Sequence, residues 1–85
     1  MKQIKIGTVV HYYDKLQVAV VKLTLHDLKI GDTVKLTGKN GEEFTQVVRS
    51  MQIEHAEIDI AKAGDEFGLK TEKKVKDKSE VIKVS

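Results

Sequence analysis

His11, His26 and His55 are the only imidazoles in the chain. A metal centre or a general base built on them would need carboxylates converging on the same point. None stands at ligand spacing from another, so they read as surface or partly packed side chains. Ser50 and Thr45 offer hydroxyls on a stretch of strand character, but no nucleophile-elbow pattern surrounds them. The chain has no cysteine, which removes thiol nucleophiles, thiolate zinc sites and disulfides. The expectation is a protein that is not an enzyme and holds neither a metal nor a cofactor.

Binding is the chemistry that remains. Lys73, Lys74, Lys76 and Lys78 crowd a polar loop, and the lysine cluster from Lys70 to Lys78 is suited to neutralising phosphates, each contact releasing a counterion and making binding salt-dependent. The opposing reading is a solvated loop, because Glu72, Asp77 and Glu80 offset much of the local charge. Arg49 is the one arginine among fifteen basic residues. Its planar fork suits a phosphate or carboxylate contact, and the competing view is a strand arginine whose stem covers its neighbours. Tyr12 and Tyr13 are adjacent, so one ring must face inward and the other outward. The outward ring offers either a stacking face for a base or an ordinary rim tyrosine. Asp32 and Asp65, each beside a glycine, read as turn formers whose carboxylates bond nearby backbone amides.

At 85 residues with 40% apolar and 33% charged composition, one soluble domain spanning 1–85 is expected, with a single core. Net charge is +2, so this is no general polycation. No apolar run approaches the roughly 20 residues of a membrane span. Met1-Lys2-Gln3-Ile4-Lys5 lacks a signal-peptide core, and a cytoplasmic location is expected.

The elements that would position these side chains are strands. Ile4 to Tyr13 reads as a first strand, and Leu16, Val18 and Val20 then alternate until Val21, Leu23 and Leu25 shift the phase, which predicts a β-bulge near Val20-Val21. Lys29-Ile30-Gly31-Asp32 and Ala63-Gly64-Asp65 each turn the chain into a new strand. Asn40-Gly41 predicts a type I′ hairpin with positive φ at both residues. Phe44 to Ile53 forms a long strand, with a bend or bulge expected near Val47-Val48. Ile58 to Ala63 allows at most one loose helical turn. Phe67 to Thr71 and Val81 to Val84 complete six or so strands, with no internal repeat dividing the chain. Closure into an antiparallel barrel would remove exposed edges.

Three blocks carry a resemblance: Leu28 to Val34, Thr45 to His55 and Ala61 to Leu69. In order and spacing the chain resembles domain two of the translational GTPases, the β-barrel of elongation factors that deliver aminoacyl-tRNA, and small stand-alone proteins of that kind. A similar barrel closes the C-terminus of collagenase-like peptidases. The resemblance implies an all-β, small closed six- to seven-stranded antiparallel Greek-key barrel of the elongation-factor domain-two type. It does not imply GTP hydrolysis, since no Gly-x-x-x-x-Gly-Lys-Ser/Thr loop is present and no nucleotide cofactor is expected.

On this basis the expected function is non-catalytic binding of tRNA, ribosomal RNA or a ribonucleoprotein through Arg49, Lys70, Lys73, Lys74, Lys76, Tyr12 and Tyr13. The alternative is a protein-interaction module docking on a G domain, a ribosomal protein or a peptidase-like partner.

Overall fold

The structure, a computed structural model, describes residues 2–84. Met1, the first residue of the segment read above for a signal peptide, and Ser85 lie outside it. Ten strands account for the regular structure: β1 Gln3–Tyr13, β2 Val18–Leu23, β3 Leu28–Lys29, β4 Thr33–Thr37, β5 Glu43–Val47, β6 Met51–Ile53, β7 Ala56–Ile58, β8 Ile60–Ala61, β9 Glu66–Lys70 and β10 Glu80–Val84. Among the described residues there is no helix, and hence none long and apolar enough to cross a membrane. Ile60 and Ala61, expected at most in a loose helical turn, are extended and pair with β3.

Eight strands form one antiparallel sheet in the order β5-β4-β10-β1-β2-β9-β6-β7, and β3 pairs with β8. The outermost strands, β5 and β7, do not pair with each other, so the ladders alone do not make the closed six- to seven-stranded barrel expected from the sequence. The sheet nevertheless curls. The segment from Glu43 to Ile53 pairs with β4 through its first half and with β9 through its second, and the chain leaves strand geometry at residues 48–50. That is the bend expected near Val47-Val48.

Curvature also comes from β1. Its register slips by one residue between Lys5 and Gly7 opposite β10, and between Val9 and His11 opposite β2. An unpaired extra residue bends and twists the strand that carries it. The expected bulge therefore lies on β1 and not at Val20-Val21. On β2, Ala19, Val21 and Leu23 point inward without a break, because a one-residue slip between two strands can be absorbed by either.

Two turns frame the fold in the same way. Gly31 and Gly64 both have φ near +96°, a conformation that costs a residue with a Cβ. In each turn the aspartate carboxylate accepts from the backbone N–H three residues earlier, Lys29 to Asp32 at 2.8 Å and Lys62 to Asp65 at 2.9 Å. The turns also bond outward alike. Gly31 N–H donates to the Val48 carbonyl and Val48 N–H to that of Asp32; Gly64 N–H donates to the Leu23 carbonyl and Leu23 N–H to that of Asp65. The strands that follow extend the correspondence, since β4 pairs with β5 as β9 pairs with β2. Leu28 and Ala61, each just ahead of its turn, face one another across β3 and β8. Two segments of the chain thus share one turn-and-strand arrangement, and each clamps the other's strand end.

The hairpin at Gly38 to Glu42 departs from expectation. Only Gly41 has positive φ, +88°, and the bonds run from Gly41 N–H to the Gly38 carbonyl and from Gly38 N–H to the Glu42 carbonyl. This is a longer loop ending on a left-handed glycine, not the two-residue type I′ turn.

One apolar cluster fills the interior. Phe67, Ile6, Leu23, Leu28, Leu36, Met51 and Leu69 are fully buried in it, each worth roughly 1.5–3 kcal/mol relative to an exposed position. Gln46 is buried among them. It stands opposite Val34, where Val21 stands opposite Phe67 in the matching strand pair.

Candidate functional site

Of the binding residues expected from the sequence, Tyr12 is buried, and the others stand on several different elements. Tyr12 is 5% exposed, its hydroxyl accepts a bond from Thr71 Oγ1 at 3.3 Å, and Lys39 Nζ lies 5.8 Å from its ring centre. Its ring is therefore core and cannot stack on a base. Tyr13 is the outward ring of the two, packed edge-on against His11 with ring centres 4.4 Å apart. Arg49 is exposed in the bend between β5 and β6.

Lys73, Lys74 and Lys76 sit on a connection that is stitched to the body. Val75 is fully buried and bridges Gly38. Lys76 N–H donates to the Thr37 carbonyl, Lys78 N–H to that of Val9, and Val9 N–H to that of Ser79. Lys73 Nζ rests 5.5 Å from the Phe44 ring centre. The apolar plug between charged neighbours shows what this loop is for structurally, since it covers the end of the core. Beside it, Lys39 pairs with Asp14 at 2.9 Å. That hydrogen bond holds the Asp14 carboxyl below its usual range and raises the Lys39 ammonium above its own.

Lys70, one of the expected set, lines a pocket. This cavity of about 360 Å³ lies on the outer face where β2, β6 and β9 run side by side. Leu16, Val18 and Gly68 form its apolar wall and floor, and Ser50, Gln52 and His55 its polar side. The depression exists because residue 68 has no side chain: a Cβ there would stand 3.0 Å from Val18 Cγ1. Leu16 is 61% exposed, although its alternation with Val18 and Val20 suggested an inward position. Two bonds fix its turn against β9, Lys70 Nζ donating to the Leu16 carbonyl at 2.9 Å and Thr71 N–H to that of Gln17 at 2.9 Å. Opposite, Ile53 and Ala56 close a two-residue hairpin on Glu54 and His55, whose φ values are 51° and 67°. Such a turn needs left-handed backbone at both residues and normally selects asparagine and glycine, so His55 is held there under strain.

The other imidazoles stay apart from this pocket's lining, and among the described residues no three His, Asp or Glu side chains group as metal ligands. Sequence reading had singled out neither the pocket nor Gln46. The in-phase series Phe44, Gln46, Val48 was the available signal for Gln46.

No family model matches the chain. A protein of Methanocaldococcus jannaschii named as an uncharacterized protease is 48% identical over 69 residues, a match that takes in 81% of this chain and 17% of that protein. The chain therefore spans about a sixth of that relative's length. Among solved structures, the C-terminal domain of a candidate U32 peptidase from Geobacillus thermoleovorans superposes with a TM-score of 0.85 at 24% identity, covering 96% of this chain and 93% of that one. The selenomethionine variant of the same domain gives 0.81 at 23%, covering 94% and 98%. The fold is that of this domain. These findings overturn the resemblance to domain two of the translational GTPases, and with it the reading as a translation-factor-like RNA-binding protein. The three blocks that carried the resemblance form a turn, a bend and a turn in this chain.

Proposed function

We propose that the chain is a non-catalytic β-domain that serves a peptidase-type catalytic unit of the U32 kind, packing on it and completing it. The observation that carries this reading is the pairing of two matches. Nearly the whole chain superposes on a solved domain described as the C-terminal part of a candidate U32 peptidase, and it is 48% identical to a stretch amounting to 17% of a protease-named protein. A module that recurs as a small fraction of a longer protein, with its own single core, fits an accessory role. The three separated histidines fit it as well. With no cysteine, a reducing cytoplasm carries no penalty, and the reading places the domain there.

The same reading takes the curled sheet as a closed barrel. Its support is the Glu43 to Ile53 segment, which engages β4 and then β9, and the Gln46 side chain, which reaches from β5 to the chain beyond β9.

The test is a complementation experiment with the Methanocaldococcus protein lacking the matched segment. Supplied separately, this chain is expected to co-purify with that truncated protein and to show no peptide-bond hydrolysis by itself. Independent elution of the two would overturn the accessory role, and proteolysis by the isolated chain would overturn the non-catalytic assignment.

A further inference from the structure

The pocket between the Leu16 turn and the Glu54-His55 hairpin has a definite chemical character. The chain carries thirteen acidic residues, yet none lines this cavity. Its charged member is a lysine. Lys70 spends one N–H on the Leu16 carbonyl, and an ammonium has three to give. Among the described residues no carboxylate stands within ion-pair distance of it. Ser50 and Gln52 add donors, while Leu16 and Val18 present hydrocarbon. A lysine over an apolar wall matches a carboxylate that sits beside an apolar side chain. The volume falls at the lower end of the range of about 300–1,000 Å³ for small-ligand sites. Both walls are braced, one by the bonds to Leu16 and Gln17 and the other by a tight hairpin, so little ordering remains to oppose binding.

We propose that this pocket binds an α-carboxylate carried by an apolar residue, as at the C-terminus of a peptide or in a free amino acid. Lys70 receives the carboxylate, Gln52 and Ser50 donate to it or to the adjoining amide, and Leu16 and Val18 take the side chain. The proposal deepens the accessory-domain reading and rests on it for its biological meaning, since peptide ends are what a peptidase-type unit handles.

Titration of the full chain, followed by NMR shifts of the Gly68 and Gln52 amides, tests it with three probes: N-acetylated Ala-Ala-Leu with a free carboxylate, the same peptide amidated, and leucine alone. Saturable shifts with the free-acid peptide are expected, with roughly tenfold weaker binding once the carboxylate is amidated. Leucine binding as tightly as the peptide would name the amino acid as the ligand; weaker leucine binding would name the peptide end. Equal binding of acid and amide, or no shift with any probe, overturns the proposal. Lys70→Met and Leu16→Ser should each weaken the free-acid peptide severalfold while thermal unfolding shows the protein folded. A Lys70→Met protein that is folded and binds as before also overturns it. Because co-purification with the peptidase-type unit is scored separately, a failed titration leaves that reading standing, and a failed co-purification does not alter the titration.

Discussion

Gln46 ties β5 to the chain at the end of β9: its Nε2 donates to the Lys70 carbonyl and its Oε1 accepts from the Glu72 N–H, both at 2.9 Å. The bonds span a seam that no strand ladder crosses, so a side chain supplies what backbone pairing supplies elsewhere. Gln46→Leu would fill the same space, much as Val21 does opposite Phe67, but would strand one part-buried donor and one acceptor. Each such group costs about 1–3 kcal/mol. Gln46→Leu is expected to lose about 2–4 kcal/mol in denaturant unfolding. A variant as stable as the parent would show that Gln46 is incidental to holding the seam.

The two aspartate turns make a matched comparison. Space around both Gly31 and Gly64 is open, with nothing within 4 Å of a Cβ built there. Gly31→Ala and Gly64→Ala should therefore each cost about 1–2 kcal/mol from the left-handed backbone alone. Asp32 differs from Asp65 in one respect, an added pair with Lys83 Nζ at 3.3 Å. Asp32→Asn is expected to be slightly more destabilising than Asp65→Asn at low salt, and the gap should close as salt rises. Unfolding curves at two ionic strengths check both statements.

A small pH effect belongs to Asp14. The hydrogen bond from Lys39 lowers its carboxyl in the folded state, so the stabilisation is present above the ordinary carboxylate pKa near ~3.9 and is lost as pH falls through the lowered folded value. Both side chains stand at the surface, where solvent screens the pair, so the contribution is slight. Asp14→Asn is expected to narrow the stability difference between pH 5 and pH 2, and thermal melts across that interval would show it. Lys39→Met, which removes the partner, should do the same.

The sequence made the architecture legible where a physical demand admits few residues. A turn at φ near +96° calls for glycine, and a carboxylate bonding back to the turn's first N–H calls for aspartate three places on. Both corners could be read for that reason. The bulge could not be placed, because a one-residue slip between β1 and β2 leaves similar alternation whichever strand holds it. Gln46 was missed because a polar residue in a strand reads as outward, although Phe44, Gln46 and Val48 share one phase. The pocket draws on the turn after β1, the hairpin after β6 and the middle of β9, three stretches far apart in sequence. Its hairpin carries neither asparagine nor glycine, so no turn signal marked it. The resemblance to translation factors misled because corner and bend motifs report a β architecture, and a shared architecture does not separate one user of it from another.

That unmarked hairpin yields the last expectation. Glu54 and His55 both hold positive φ, a conformation that costs an ordinary L-residue roughly 1–2 kcal/mol. If strain were all the pair contributed, Glu54→Asn with His55→Gly would relieve it, since those residues adopt the turn readily. The double variant is therefore expected to raise stability by about 1–2 kcal/mol, or several degrees in Tm for a domain of this size. His55→Gly also removes the imidazole from the pocket wall, and Lys70 remains. Free-acid peptide binding should accordingly weaken by less than it does in Lys70→Met. A gain in stability together with a loss in binding would mean that the chain tolerates a strained turn for the sake of its pocket. A variant that is no more stable than the parent would place the origin of those two backbone angles elsewhere, in the pairing of Ile53 with Ala56 that closes the hairpin.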